Sequence, residues 1–307
     1  MTPIHYFPKI FGFLAFLVNP IFIYLIFSGK SNKFGNYRFL LLYFATFNLT
    51  YSAFDCLLPI NIHSYRYCFS VFISGGYFLK NSQLGVRVLA ARCGLISCSY
   101  AILISHFLYR WLVIRKSKLT GKRFKVFMLL SVALCGLFFG SWYKIGTTIA
   151  NSNQEKKSYI HEDFLKTFGE DPFDMNLCSF LYSEGTPESV AYAWLSTNSM
   201  TVISLLSVIF YVIMGTLIIR KLNLLTGILS LKTAQLQKDL LKALTIQTAI
   251  PIIVSFSPCL ISWYGPAFNI KVPHFINDIS VIALSAFPFF DPLAVALCLP
   301  VLRRRLF

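Results

Sequence analysis

Arg110 stands between Tyr109 and Trp111, four residues after His106, where a long apolar run gives way to Arg115, Lys116 and Lys118. A guanidinium in that place has two uses. It can snorkel to an interface as a topology anchor, or its planar fork can hold acceptors in fixed directions. Asp55 and Arg92 are charges inside other apolar stretches, where an ion is costly unless paired. Asp291 is a further carboxyl in such a run, followed directly by Pro292. Catalytic and metal chemistry is not expected. The five histidines form no box, and the eight cysteines show no CxxC pair or histidine partner. No nucleophile–base pair stands out, so the chain reads as a non-enzyme without cofactor or metal.

The stretches that hold these groups are membrane spans. The chain is 56% hydrophobic, 17% aromatic and only 13% charged, with mean hydropathy +0.64, against roughly 25% charge in soluble domains. A formal charge of +16 would suggest nucleic acid in a soluble protein. Here the cations sit in short loops between apolar runs, so no nucleic-acid partner is expected. Runs long enough to cross a bilayer fall at about 8–27, 39–58, 87–109, 126–150, 193–219, 243–264 and 275–299. The fold class is therefore an all-α seven-helix membrane bundle forming one domain, 1–307, with a short basic tail at 300–307.

Charge sets the orientation. On one side the loops hold eighteen cations against one acid, Asp239; on the other, seven cations face the eight acids of segment 151–192. The positive-inside rule puts the N-terminus and the acidic 151–192 loop outside, and the C-terminus in the cytosol. Residues 67–79 are too short to span, and suit an extracellular hairpin turning at Gly75-Gly76. Gly136 and Gly140 suggest a close-packing face on the fourth span. Pro251, Pro258, Pro288 and Pro292 offer hinges in the last two.

Counting residues places polar groups in depth. Asp55 lies 17 residues from Arg38, and Arg92 lies 18 from Arg110, so both sit ~25–27 Å from the basic boundary. They are expected to pair, as a structural clamp or as the polar floor of a ligand site. The outer half of the bundle is the expected pocket, lined by Ser97, Tyr100, Asn198, Trp263, Tyr264 and Asp278 besides that pair. Aromatic walls with few polar groups suit a small, mostly apolar molecule.

Five segments occur in order: V-N-P-I-F-I-Y at 18–24, G-N-Y-R-F-L-L at 35–41, I-H-S-Y-R-Y at 62–67, H-F-L-Y-R-W at 106–111 and F-P-F-F-D-P-L-A-V at 287–295. In this set the chain resembles the nematode serpentine chemoreceptors of the Str superfamily, near its Str and Srj branches. The resemblance covers nearly the whole chain. It implies a rhodopsin-like receptor that senses a small odorant or pheromone and activates a heterotrimeric G protein. It implies the plasma membrane of sensory neurons or their cilia. It also implies switch and coupling roles for His106, Tyr109, Arg110, Asp291 and Pro292. Trp111 departs from the family's usual tyrosine, and the tail after Pro292 is short. The usual receptor cysteine before the third helix's arginine is replaced by Gly85, so Cys178 is left to pair with Cys68, with Cys93 or with neither. A secondary transporter is the alternative, but seven spans without an evident repeat weigh against it.

Overall fold

The computed structural model describes residues 6–28, 35–225, 231–250, 252–253 and 257–306. Lys30 and Lys33 of the first basic turn, and Pro251, lie outside them. Ten α-helices are described: α1 (Phe7–Phe27), α2 (Tyr37–Leu57), α3 (Gln83–Ile114), α4 (Phe124–Lys144), α5 (Gln154–Phe168), α6 (Pro187–Leu224), α7 (Leu231–Ile250), α8 (Ser257–Ala267), α9 (His274–Cys298) and α10 (Pro300–Leu306). Six of these are long and apolar enough to cross a membrane: α1, α2, α3, α4 with its π-helical extension Ile145–Ile149, α6 and α9. The sixth expected span, 243–264, is divided between α7 and α8. Pro258 sits at the second position of α8, where a missing N–H is tolerated.

The proline-bearing helices are tied together by an asparagine. Pro292 has no N–H, so the carbonyl of Pro288 loses its helical donor. Asn19 Nδ2 donates to that carbonyl at 3.0 Å, and also to the Ala15 carbonyl at 2.9 Å. Asn48 Nδ2 then reaches Asn19 Oδ1 at 3.4 Å. One buried side chain thus joins α1, α2 and α9 and satisfies the carbonyl that Pro292 leaves without a helical donor.

Gly136 and Gly140 are not a packing face within the chain, because a Cβ on either would meet nothing within 4 Å. The close approach of α3 and α4 runs through other small residues. A Cβ on Gly94 would stand 3.0 Å from the Phe139 ring, and one on Gly146 would stand 2.8 Å from Ala90. The pattern was present in the sequence; the side of the helix it occupies was not.

A three-stranded antiparallel sheet caps one end of the bundle: β1 (Ile60–Tyr65), β2 (Cys68–Ile73) and β3 (Leu177–Leu181), in that order. The hairpin turns at Arg66-Tyr67, with Arg66 at φ +46°, and not at Gly75-Gly76. Asn61, His63 and Ser64 make β1 look like a polar loop in sequence. Gly76 instead passes the end of α2 at φ +86°, where a Cβ would lie 2.8 Å from the Leu57 carbonyl oxygen. Strand alternation divides the sheet cleanly. Ile60, Ile62, Phe69, Val71, Cys178 and Phe180 face the bundle. Phe72, Leu177 and Leu181 face outward, and α5 covers them with Ile160 and Phe164.

Segment 151–192 is thus folded. Asn153 caps α5, accepting from Lys156 N, and Gly169 ends it in the left-handed region. Lys156 donates to the Ile149 and Asn151 carbonyls, and Lys157 to those of Phe173 and Met175. Burial pushes both ammonium groups below the usual lysine range. Glu155 accepts from Thr186 and Ser189 at the start of α6, and these bonds hold its carboxyl below the usual range.

Candidate functional site

Three polar places lie along the bundle. Toward the capped end, Arg92 Nη2 donates to Asp55 Oδ1 at 2.6 Å, with both side chains almost fully buried. The guanidinium also stacks 4.1 Å from the centroid of Tyr51. Equal depth, counted from the basic boundary, brings them together. The sequence did not point to Tyr51, which covers the cation with a π-face.

At the basic end, two of the five segments meet on one ring. Tyr37, from G-N-Y-R, donates to or accepts from His106 Nδ1 at 2.9 Å and stacks on Tyr109 at 5.3 Å. The Arg110 guanidinium lies 3.5 Å from the Tyr37 centroid. Its Nη1 makes a long 3.5 Å bond to Gln237 Oε1 on α7, while Nε and Nη2 have no hydrogen-bond partner among the described residues. Arg110 is only 3% exposed, so it is tucked between α2, α3 and α7 and does not reach outward. Tyr37 and Gln237 were missed in the sequence. The only signal was that Tyr37 falls inside a shared segment.

Asp291 is buried with Oδ1 unpartnered among the described residues, and Pro292 beside it is buried too.

At the capped end, a cavity of about 250 Å³ lies beneath the inner face of the sheet. On α3 it is lined by Cys93, Ile96 and Tyr100, one face at helical spacing. Trp142, Met200, Trp263 and Leu284 close it from α4, α6, α8 and α9. Hydroxyls come from Tyr100, Thr201, Ser204 and Ser257; the remaining surface is overwhelmingly apolar. One donor has no acceptor: Trp142 Nε1 is buried and unpartnered among the described residues.

Of the residues expected to line a pocket, Tyr100 and Trp263 do so. Arg92 and Asp55 turn toward each other, off the lining face. Ser97 bends back to the Gly94 carbonyl at 2.7 Å. Asn198 is exposed on the outside of α6; its neighbour Thr197 points inward and meets the Tyr182 hydroxyl at 2.9 Å. Tyr264 stands one layer back, bonded to Thr201 at 2.8 Å. Asp278 is half-buried on α9 and outside the lining. Cys68, Cys93 and Cys178 are all free thiols, and a side chain at Gly85 would collide with Asn176.

The family model for serpentine type 7TM GPCR chemoreceptor Srj matches residues 2–306. The chain belongs to the Srj chemoreceptors. This Srj receptor is 43% identical to serpentine receptor class J-38 of Caenorhabditis elegans over 97% of its own length and 91% of that protein. It is also 24% identical to serpentine receptor class r-10 of Caenorhabditis briggsae, over 97% of this chain and 88% of that one. G-protein coupled receptor str-33 of C. elegans matches at 24%, over 92% and 83%. The Srj receptor is accordingly a multi-pass membrane protein of a nematode seven-helix family. In that family a small-molecule ligand and a G protein are the general partners.

The roof of the cavity carries a pH-sensitive contact. His63 of β1 is fully buried against Phe164 and Phe168 of α5 and stacks 6.4 Å from His274. Burial, and secondarily the neighbouring His274, push it down to about 3. His63 is therefore neutral at pH 7, and its 3.4 Å approach to Asp163 is a polar contact rather than an ion pair. A depressed histidine stabilises fully above its unfolded value near 6.5 and loses that contribution as pH falls from there toward 3. Hydrogen exchange across 154–168, corrected for intrinsic rates, is expected to be ~10-fold less protected at pH 5.5 than at 7.5, about 1.4 kcal/mol. His63→Phe is expected to remove most of that dependence. The same dependence in the variant would clear His63 of the role.

Proposed function

We propose that this Srj receptor detects a small, apolar molecule with one hydrogen-bond acceptor, held in the cavity beneath the sheet, and activates a heterotrimeric G protein at the basic end. The supporting observation is the Trp142 N–H, a buried donor left without an acceptor among the described residues in a mostly apolar lining. An unmatched buried donor costs about 1–3 kcal/mol, and a ligand carbonyl or ether oxygen would recover it. The volume, below the ~300–1,000 Å³ usual for drug-sized ligands, favours odorant-sized compounds. The charge asymmetry between loops supports an outside N-terminus, an extracellular 151–192 segment and a cytosolic basic end. The plasma membrane of sensory neurons is the matching location.

The test is a panel of volatile ketones, esters, alkenes and carboxylates on cells expressing the receptor with a promiscuous G protein. Ketones or esters are expected to outperform the matched alkenes by ~10-fold in potency, and Trp142→Phe is expected to narrow that gap. Activation by carboxylates alone would contradict the reading.

At the other end, the Arg110–Gln237 bond holds α7 against α3 in the resting arrangement. Gln237→Ala removes a long and therefore weak bond of ~0.5–1 kcal/mol. Basal G-protein turnover is expected to rise about 2–5-fold, read as ligand-free nucleotide exchange in membranes. Lowered basal turnover would mean that Gln237 supports the active arrangement instead.

A further inference from the structure

A second, polar cavity of about 470 Å³ lies behind the first. The two share a wall. Cys178, Gly146 and Ala150 face the apolar cavity, while their chain neighbours Leu177, Thr147 and Asn151 face the polar one. Its lining contains two cations, Arg87 and Lys157, and no carboxylate. Two helices begin there: α3, through Ser82 and Gln83, and α5, just after Ser152. Both therefore turn the positive ends of their dipoles toward it.

The acids of segment 151–192 do not fill this space. Glu155 caps α6, Glu184 pairs with Arg66 and Tyr159, and Asp163 faces His63. Asp171 accepts from Phe173 N. Asp174 and Asp171 act on Lys157 from outside the lining. Lys157 spends two donors on backbone carbonyls, and an ammonium has three. Arg87 is exposed and makes no ion pair or hydrogen bond among the described residues. Its whole fork is available for a bidentate oxyanion.

We propose that this cavity binds a phosphate-type oxyanion between Arg87 and Lys157, at a site separated from the apolar cavity by the wall that β3 and the π-helical extension Ile145–Ile149 form. The anion can arrive free in solution or as a lipid headgroup. The probes are inorganic phosphate, and phosphatidic acid in the bilayer. Thermal unfolding is followed for the whole receptor in phosphatidylcholine nanodiscs, with ionic strength held constant by sodium chloride so that general screening is equal. Phosphate at saturation is expected to raise the midpoint by about 2–4 °C. Arg87→Gln is expected to lose most of that rise while its phosphate-free midpoint stays unchanged, since the side chain holds nothing in the fold. Lys157→Met is the second variant, and if it fails to fold, Arg87→Gln and Arg87→Glu decide. A rise seen only with phosphatidic acid, and lost in Arg87→Gln, supports the same site filled by a headgroup. No rise with either probe, or an equal rise in wild type and Arg87→Gln, overturns the proposal.

Discussion

Asp55→Asn is expected to destabilise the receptor by about 3–5 kcal/mol, because it leaves the fully buried Arg92 guanidinium without its counter-ion. The pair is held at 2.6 Å and covered by Tyr51, with Asp55 Oδ2 and Arg92 Nε and Nη1 lacking other partners among the described residues. The neighbouring Tyr51 hydroxyl can offer a dipole but not a counter-ion. Arg92→Gln strands the carboxylate in the same way. The double variant removes both charges and lets two amides face each other, so its loss is expected to be smaller than the sum of the single losses by ~2–3 kcal/mol. Thermal unfolding of purified single and double variants reads this directly. Additive losses would mean that the contact contributes no net coupling, and that each side chain matters only through its own packing.

Arg110→Lys is expected to reach the cell surface in normal amounts and to lose most G-protein activation, about 10-fold or more. A lysine keeps the charge and can still snorkel, so an anchor would tolerate it. It cannot lie flat on Tyr37, where Arg110 sits 3.5 Å from the ring centroid, nor offer several donors in one plane. Arg115, Lys116 and Lys118 remain to hold topology. Surface staining with agonist-driven nucleotide exchange in the same cells separates the two roles. Full exchange by a normally expressed variant would reduce Arg110 to an anchor.

Much of this arrangement was written in the order of residues. Apolar runs gave seven expected spans, of which six are helices long and apolar enough to cross a membrane among the described residues, and depth counting alone put Asp55 beside Arg92. The shared segments pointed to Arg110 and His106. What escaped depends on side, not on composition. Asn198 and Thr197 are neighbours, yet a helix turns ~100° per residue and only Thr197 faces the interior. Gly136 and Gly140 carry a packing pattern on a face with no partner in the chain. Strand β1 was hidden by Asn61, His63 and Ser64: Asn61 accepts from Ile62 N, His63 is covered by α5, and Ser64 bonds α8 and α9. Tyr37 and Trp142 were lost among so many aromatics. The first matters because three side chains of α3 converge on its ring, the second because its N–H meets no acceptor, and neither fact is local in sequence.

The most direct test of the account fills the apolar cavity. Met200 lines it and is almost fully buried. Met200→Trp adds bulk into empty space, at a cost in stability of no more than about 1–3 kcal/mol. The measurement is G-protein activation by each compound that activates the wild type, in cells matched for surface receptor. The account predicts that Met200→Trp loses response to all of them, with ligand-free turnover unchanged. Undiminished potency of any agonist in the filled receptor would place its binding elsewhere and contradict the central claim.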